Sequence, residues 1–486
     1  MIDVSPEQLQ TIKDILEHHV PGCEVRAFGS RFTWTAKDYS DLDLAIVGTE
    51  KLPFRELSAL RTAFEESNLP YRVDVLDWHA ISPEFQKVIE QGYEVIQKPE
   101  LGMSFKGWNT WKVGEIGRIV TGKTPPTQNL KNFGNRYPFI TPRDMLGQKR
   151  IQKTERYLSE EGKNTVRNCL LPAKSVCVSC IGSDMGKVVM TTTDSVTNQQ
   201  LNSVICNTSF DPDFVYYALV HISDELRNAG HSSTAVPILN KTDFSNFEIT
   251  APDIVTQCRI ADILSALDEK IELNRQTNAT LEAIAQAIFK EWFVDFNFPG
   301  ATGEMVESEL GMIPRGWQVG KLGEIYEFAY GKGLKSENRA EGEYPVVGSN
   351  GIVGTHNEYL VEGPGVVIGR KGTIGEVTWV HKNFFPIDTT FYIKDLLGVG
   401  GLYFHYFLLK DQDFKKIASD SAVPGLNRNQ AYDNLIVIPM PDVIKRFNEI
   451  TFAIFENITN DEQQSDSLAA VRDALLLKLM SGEIKV

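Results

Sequence analysis

The chain has 486 residues, 42% of them apolar, and its 64 acidic against 49 basic side chains leave a net charge of −15. That length exceeds what one hydrophobic core supports, so several domains are expected, and the acidic balance excludes a molecule coated in nucleic-acid-binding surface. No stretch approaches the roughly 18 apolar residues of a membrane span, and MIDVSPEQLQ does not read as a secretory signal, so a cytoplasmic location without a membrane partner is expected.

The first hundred residues carry 18 acidic and 10 basic side chains. A short strand, EVRAF, leads into FGSRFTWTAKDYSDLDLAIVG (28 to 48), where Gly29 and Ser30 form a turn expected to open a helix. In the strand that follows, Asp41 and Asp43 stand two apart and share one face, while Leu42, Leu44 and Ile46 point to the core. A further strand, YRVDVLDW (71 to 78), places Asp74 between Val73 and Val75. Carboxylates on neighbouring strands can hold Mg²⁺, and a Gly-Ser turn can hold phosphates. This G-S…D-x-D pattern with a third Asp downstream resembles the minimal nucleotidyltransferase domain of the polymerase-beta superfamily. The resemblance implies that Gly29 and Ser30 bind the phosphates of an NTP. It also implies that Asp41, Asp43 and Asp74 are the catalytic, metal-binding set, with Asp74 activating the acceptor. Trp34 departs from the family, which commonly has Gly there.

Residues 101 to 251 are the one basic segment, 17 against 13, so nucleic-acid contact must be local. They open with GRIVTGKT (117 to 124), which satisfies the Walker A pattern of ATP-binding loops. That loop works only by running straight into a helix, and Pro125 and Pro126 forbid the helix, so no ATP site is expected. Of the six cysteines, only Cys177 and Cys180 are close, in the β-branched run SVCVSC. With no second ligand pair they read as buried thiols in a reducing cell. The stretch FVYYALVHISDELRNA (214 to 229) reads as helix.

The chain then repeats itself. VGEIGRIVTGK (113 to 123) returns as LGEIYEFAYGK (322 to 332), CIGSDMGKVV (180 to 189) as VIGRKGTIGEV (367 to 377), and STAVPILNKTDF (233 to 244) as DSAVPGLNRNQAY (420 to 432). The second copy lacks the Ser/Thr after its Gly-Lys, a further argument against ATP. Both copies are dense in short β-branched and aromatic runs punctuated by Gly, Pro and Asn-Gly, and neither contains a nucleophile elbow or a His/carboxylate cluster. Basic residues sit instead at turn-like positions. Lys123, Arg136, Arg143, Lys187 and Lys241 do so in the first copy, and Lys332, Lys335, Arg370, Lys371 and Arg428 in the second; these are the candidate DNA contacts.

Each copy ends in a long helical pattern. Ile260, Leu264, Leu267, Ile271, Asn274, Asn278, Leu281, Ala285, Ile288 and Trp292 step by four and three, as do Phe447, Ile450, Ile454, Asn457, Asp461, Gln464, Leu468, Val471 and Leu475. Matching seams with polar centres predict an antiparallel coiled-coil pair, each helix of about 40 residues being about 60 Å long.

Taken together, W-x-V…GEI…GK, the IG…GKV core, TNQQLN (197 to 202), AVP-x-LN and the helix endings AIFKEWFVDF and LLLKLMSGEI resemble the specificity subunit of a type I restriction-modification system over residues 104 to 486. The fold expected is therefore multi-domain α/β and α+β. A nucleotidyltransferase-like domain (1 to 100) precedes target recognition domains (104 to 252 and 309 to 440) joined by two long antiparallel coiled-coil helices (253 to 297 and 441 to 486). The resemblance implies a non-catalytic chain of a phage-defence complex that reads a bipartite site in double-stranded DNA without a cofactor. Its implied partners are methyltransferase (M) and restriction (R) subunits. The alternative is a nucleotidyltransferase delivered to DNA or to a partner by the repeats.

Overall fold

The computed structural model describes residues 2–37, 40–48, 51–97, 108–230, 238–419 and 425–486. They form two compact units, Met1–Ala261 with Leu477–Val486, and Asp262–Leu476. The architecture is the mixed α/β arrangement expected, with strand-rich modules and a long helix packed on the C-terminal helix. No helix among the described residues is long and apolar enough to cross a membrane.

The first unit begins with a four-stranded sheet in the order β3-β2-β1-β4, built from β1 (Glu24–Phe28), β2 (Leu42–Val47), β3 (Val73–Asp77) and β4 (Glu94–Gln97). Only the β2–β3 pair is parallel. Leu42, Leu44 and Ile46 are fully buried, as their alternation predicts, against Ile12 and Leu16 of helix Pro6–His19. That helix starts at a reciprocal cap in which Gln8 N–H donates to Ser5 Oγ (3.2 Å) and Ser5 N–H to Gln8 Oε1 (3.0 Å).

The first strand-rich module contains two five-stranded sheets and a two-stranded pair joining Asn109–Lys112 to Glu248–Ala251. The helix expected over 214 to 229 is broken into Pro212–His221 and Ser223–Gly230. Its first half is buried from Asp213 to Leu219, all round the helix, so packing on every side rather than an amphipathic stripe fixes it. Cys177 and Cys180 are free and buried, and desolvation pushes their thiols up to about 12 and about 11. They are inert core side chains, as their setting implies.

The second unit repeats the plan. Strands Tyr326–Tyr330, Thr390–Asp395, Gly365–Gly369 and Val377–Val380 form one sheet, with a three-stranded sheet beside it. Its core is strongly aromatic: Phe289 and Phe293 lie 6.0 and 4.8 Å from Phe404, and 6.0 and 5.2 Å from Phe447. Helix Ile254–Phe289 ends in a wider π turn, Lys290–Val294, closed by Asp295 N–H donating to Lys290 O (2.9 Å).

Within this unit the two long helices run antiparallel. Arg472 pairs with Asp268 (2.6 Å), Asn274 Nδ2 donates to Asp461 O (3.2 Å), Gln464 Oε1 (3.0 Å) and Ser465 Oγ (3.2 Å), and Asn278 Nδ2 donates to Ile458 O (3.2 Å). Partners fall along one helix as they rise along the other. The first seam lies where its spacing places it, and the second does so in part, with Phe447, Ile454, Asp461 and Gln464 turned inward. Ile450 and Val471 are exposed, and Thr451, Phe455, Ile458 and Arg472 face inward instead. Two consecutive four-residue steps, Phe447 to Thr451 to Phe455, follow the 3.6-residue turn of a straight helix rather than a strict heptad.

Candidate nucleic-acid interface and nucleotide site

The repeated Gly-Lys turn has the same construction in both modules. Gly122 N–H donates to Leu201 O (3.1 Å) and Lys123 N–H to Thr197 O (2.9 Å), while Gly331 N–H donates to Thr390 O (3.2 Å) and Lys332 N–H to Pro386 O (3.0 Å). A side chain at either glycine would run into the carbonyls of Thr197 and Asn198, or of Pro386 and Ile387. The amides a phosphate would need are thus already bonded, and residues 122 to 126 form no helix, so the Walker A resemblance is accidental.

Further contacts recur in step. Cys180 N–H donates to Gln200 O (2.7 Å) and Cys180 O accepts from Leu239 N–H (2.8 Å); Arg370 N–H donates to Thr389 O (2.9 Å) and Arg370 O accepts from Leu426 N–H (2.9 Å). Asn240 and Asn427 each cap a short helix whose first residue is basic, Lys241 and Arg428.

The ten basic positions separate by environment. Lys123, Arg143 and Lys241 are exposed. Arg136 pairs with Glu160 (3.0 Å), Lys187 with Asp184 (2.8 Å) and Lys335 with Glu337 (3.4 Å). In the second module Arg370 and Arg428 converge, their guanidinium carbons 5.0 and 5.1 Å from the centre of the Tyr330 ring. Lys371 is the neighbour of Arg370, and Lys332 lies two residues beyond Tyr330; both are exposed.

In the N-terminal sheet Asp43 and Asp74 stand opposite each other in the parallel β2–β3 register. Asp41 lies just before β2, and its charge reaches Asp43. Burial raises the Asp43 carboxyl above its ordinary value, and the charges of Asp74 and Asp41 raise it further. Arg72 holds one Asp74 oxygen at 3.1 Å. Among the described residues no three His, Cys, Asp or Glu side chains are gathered into a ready metal cage. The in-register carboxylate pair, with repulsion that Arg72 relieves only on the Asp74 side and with hard oxygen donors, still suits a divalent cation such as Mg²⁺. Gly29 has φ +75° and abuts the Asp43 carboxylate, leaving no room for a side chain. The helix expected after Gly29-Ser30 is not formed. Thr33 N–H donates to Gly29 O (3.1 Å) and Thr35 N–H to Ser30 O (3.0 Å), a turn that stops at Trp34, whose φ is +57°. That left-handed backbone explains why glycine suits the position, and the indole is 65% exposed.

Residues 105–283 and 314–461 match the family described as type I restriction modification DNA specificity domain. The chain belongs to that family. It is 26% identical over 421 residues to the MjaIX specificity subunit of Methanocaldococcus jannaschii, covering 80% of this chain and 96% of that one. With the HindI specificity subunit of Haemophilus influenzae it shares 35% identity over 179 residues, 35% of this chain and 39% of the other. Residues 10–100 match the polymerase beta nucleotidyltransferases, and a 99-residue segment is 48% identical to the probable protein adenylyltransferase MntA of Haemophilus influenzae, covering 20% of this chain and 87% of that one. The N-terminal domain is a member of the nucleotidyltransferase family. The crystal structure of a type I S subunit from M. genitalium aligns with a TM-score of 0.48 at 18% identity, over 79% of this chain and 99% of the other.

Two features of this specificity-family chain escape a search for basic residues. Tyr330 carries no charge, and its approach to two arginines is made by two strand ends and a helix start far apart in sequence. Asp213 draws in Lys149 (2.7 Å) and Arg150 (2.8 Å), a partly buried ion cluster that no motif announces.

Proposed function

We propose that this chain is the DNA-specificity subunit of a type I restriction-modification complex, with modules 104 to 252 and 309 to 440 each reading one half of a bipartite duplex site. Helices 253 to 297 and 441 to 486 then set the unread gap and dock the methyltransferase subunits, and through them the restriction subunits. The recognition part needs no cofactor, and its contacts are drawn from the basic positions Lys123, Arg136, Arg143, Lys187, Lys241, Lys332, Lys335, Arg370, Lys371 and Arg428. The chain works in the cytoplasm, where its DNA is. The observation that carries this reading is the Asn274 amide bonded to three groups of the opposite helix, which ties the two seams into one register.

Inserting one heptad into each long helix tests it. Seven residues add about 10 Å, or about three base pairs, to the pair. Methylome sequencing of a host expressing the complex should show the tolerated gap lengthened by about that much, with both half-sites unchanged; an unaltered gap in an assembled, active complex refutes the ruler.

A second reading concerns the N-terminal domain, and the register of Asp43 with Asp74 favours it. Asp41, Asp43 and Asp74 would hold Mg²⁺, and Gly29 and Ser30 the phosphates of an NTP. The metal supplies charge neutralisation at the phosphates and orients the nucleotide. Gly29 would admit the phosphates close to Asp43, and Asp74 would accept the proton of an incoming hydroxyl as its oxygen bonds the α-phosphorus and pyrophosphate leaves. Incubating the full chain with Mg²⁺ and ATP radiolabelled in its α-phosphate, alone and with its M subunits, tests this: label transferred by the parent but not by Asp43→Asn supports it, and no transfer to any of these proteins counts against it.

A further inference from the structure

We infer that Tyr330 is a specificity-determining residue of the second module, positioning Arg370 and Arg428 to receive the acceptor edge of a guanine. The inference rests on the DNA-reading role proposed above. Tyr330 ends strand Tyr326–Tyr330 opposite Phe391, in edge contact with its ring at 4.9 Å, and is itself 50% exposed. Two guanidinium carbons lie 5.0 and 5.1 Å from the centre of that ring. Among the described residues neither has a carboxylate partner. Arg370 Nη1 donates only to the main-chain oxygen of Asp388 (3.1 Å), and the buried Arg428 Nε donates to nothing.

Two like charges held together without a counter-charge are costly unless something anionic or acceptor-rich joins them. The ring offsets part of that cost through its negative face and leaves donors free. Their scaffold is rigid. Leu426 N–H donates to Arg370 O (2.9 Å), tying the two arginine segments together, and Phe328 stacks on Tyr432 of the Arg428 helix at 5.4 Å. Fixed forks of this kind suit the paired N7 and O6 acceptors of guanine, the commonest target of a bidentate arginine.

The first module supports the assignment by contrast. By the shared main-chain bonds, Thr121, Cys180 and Lys241 occupy the places of Tyr330, Arg370 and Arg428, which moves this segment three residues from the match of CIG with VIG that the sequence suggests. There Thr121 Oγ1 donates to Asn202 Oδ1 (2.7 Å), and none of the three positions carries a guanidinium. Here the two readers differ while their frames agree, as a bipartite site with unlike halves requires.

The test uses the assembled complex carrying Tyr330→Phe, Tyr330→Leu or Arg428→Ala, read by methylome sequencing and by binding across a salt series. The parent should methylate a site with at least one guanine in one half. Tyr330→Phe keeps the ring and should keep that preference. Tyr330→Leu and Arg428→Ala should cut discrimination at that guanine by about tenfold, leaving the other half-site and the gap unchanged. Equal weakening on all sequences with a shallower salt slope would make these phosphate contacts and overturn the inference, as would unchanged discrimination in both variants. A parent complex with no sequence-dependent binding would instead refute the DNA-reading role itself.

Discussion

Arg472 on the second long helix donates to Asp268 on the first at 2.6 Å, and both side chains are mostly buried. Burial alone would make the guanidinium easier to deprotonate, but the hydrogen bond and charge of Asp268 hold it more firmly charged than usual. Removing one partner leaves the other charge in a poorly solvated seam. Asp268→Ala should therefore destabilise the helix pair by roughly 2 kcal/mol, moderated because Arg472 keeps Asp473. Asp268→Leu with Arg472→Met should come out within about 1 kcal/mol of the parent. Urea unfolding followed by far-UV circular dichroism measures both; equal midpoints for Asp268→Ala and the parent would show that this ion pair does not stabilise the helix pair.

The polar centre of the seam makes a different prediction. Asn274 is almost fully buried and bonds three groups across the pair. Asn274→Leu should leave stability within about 1 kcal/mol while loosening register, since a lone buried amide fixes alignment at a cost in stability. The readout is the methylome, which should show a broader range of tolerated gaps; a gap as sharply defined as the parent's would assign register to other residues.

Asp213 predicts an acid-sensitive first module. Burial pushes its carboxyl up, but the hydrogen bond and charge of Lys149, with Arg150 and Lys174, overcome this and hold it below the ordinary range. The unfolded chain therefore takes up this proton more readily than the folded one. Its contribution is fully present above the unfolded value near 4, and is lost as pH falls through the lower folded value. Calorimetry from pH 7 to pH 3 should show the parent losing stability more steeply than Asp213→Asn below about pH 4. Lys149→Met should cost about 3 kcal/mol at pH 7 by leaving Asp213 underpaired.

The nucleotide site gives a prediction of opposite sign. Asp43 is raised by burial and by Asp74 and Asp41, so its ionised form opposes folding at neutral pH and is relieved as pH falls through the raised value. Asp43→Asn should accordingly stabilise the N-terminal domain at pH 7 while abolishing any nucleotidyl transfer. Gly29→Ala should destabilise it by about 1–2 kcal/mol from backbone strain alone, besides displacing Asp43. Neither change should alter site-specific methylation by the assembled complex. Thermal shift assays and methylome sequencing on the same variants check both halves.

Much of this was legible in the sequence because it rests on local spacing. The alternation of Leu42, Leu44 and Ile46 fixed one face of β2, and the first helix buries the seam its threes and fours define. Pro125 and Pro126 rightly ruled out a phosphate loop. Where spacing competes with packing, it misled. The second seam departs from its spacing at Ile450 and Val471, where Thr451 and Phe455 follow the helix's own turn, and the helix expected from 214 to 229 breaks at Ile222. The turn after Ser30 ends in a left-handed Trp34, which no periodicity encodes. The arginine pair about Tyr330 depends on segments some forty and sixty residues apart meeting at one sheet end, and contacts of that range leave no trace in a window of sequence.

The Gly122 and Gly331 turns are both anchored by main-chain bonds, so the framework beneath each reader leans little on the identity of the side chains beside it. Neighbouring positions are free to drift without disturbing the architecture that displays them. A lineage facing new invaders could thus acquire a fresh preference one substitution at a time, with each intermediate still folded and still able to assemble.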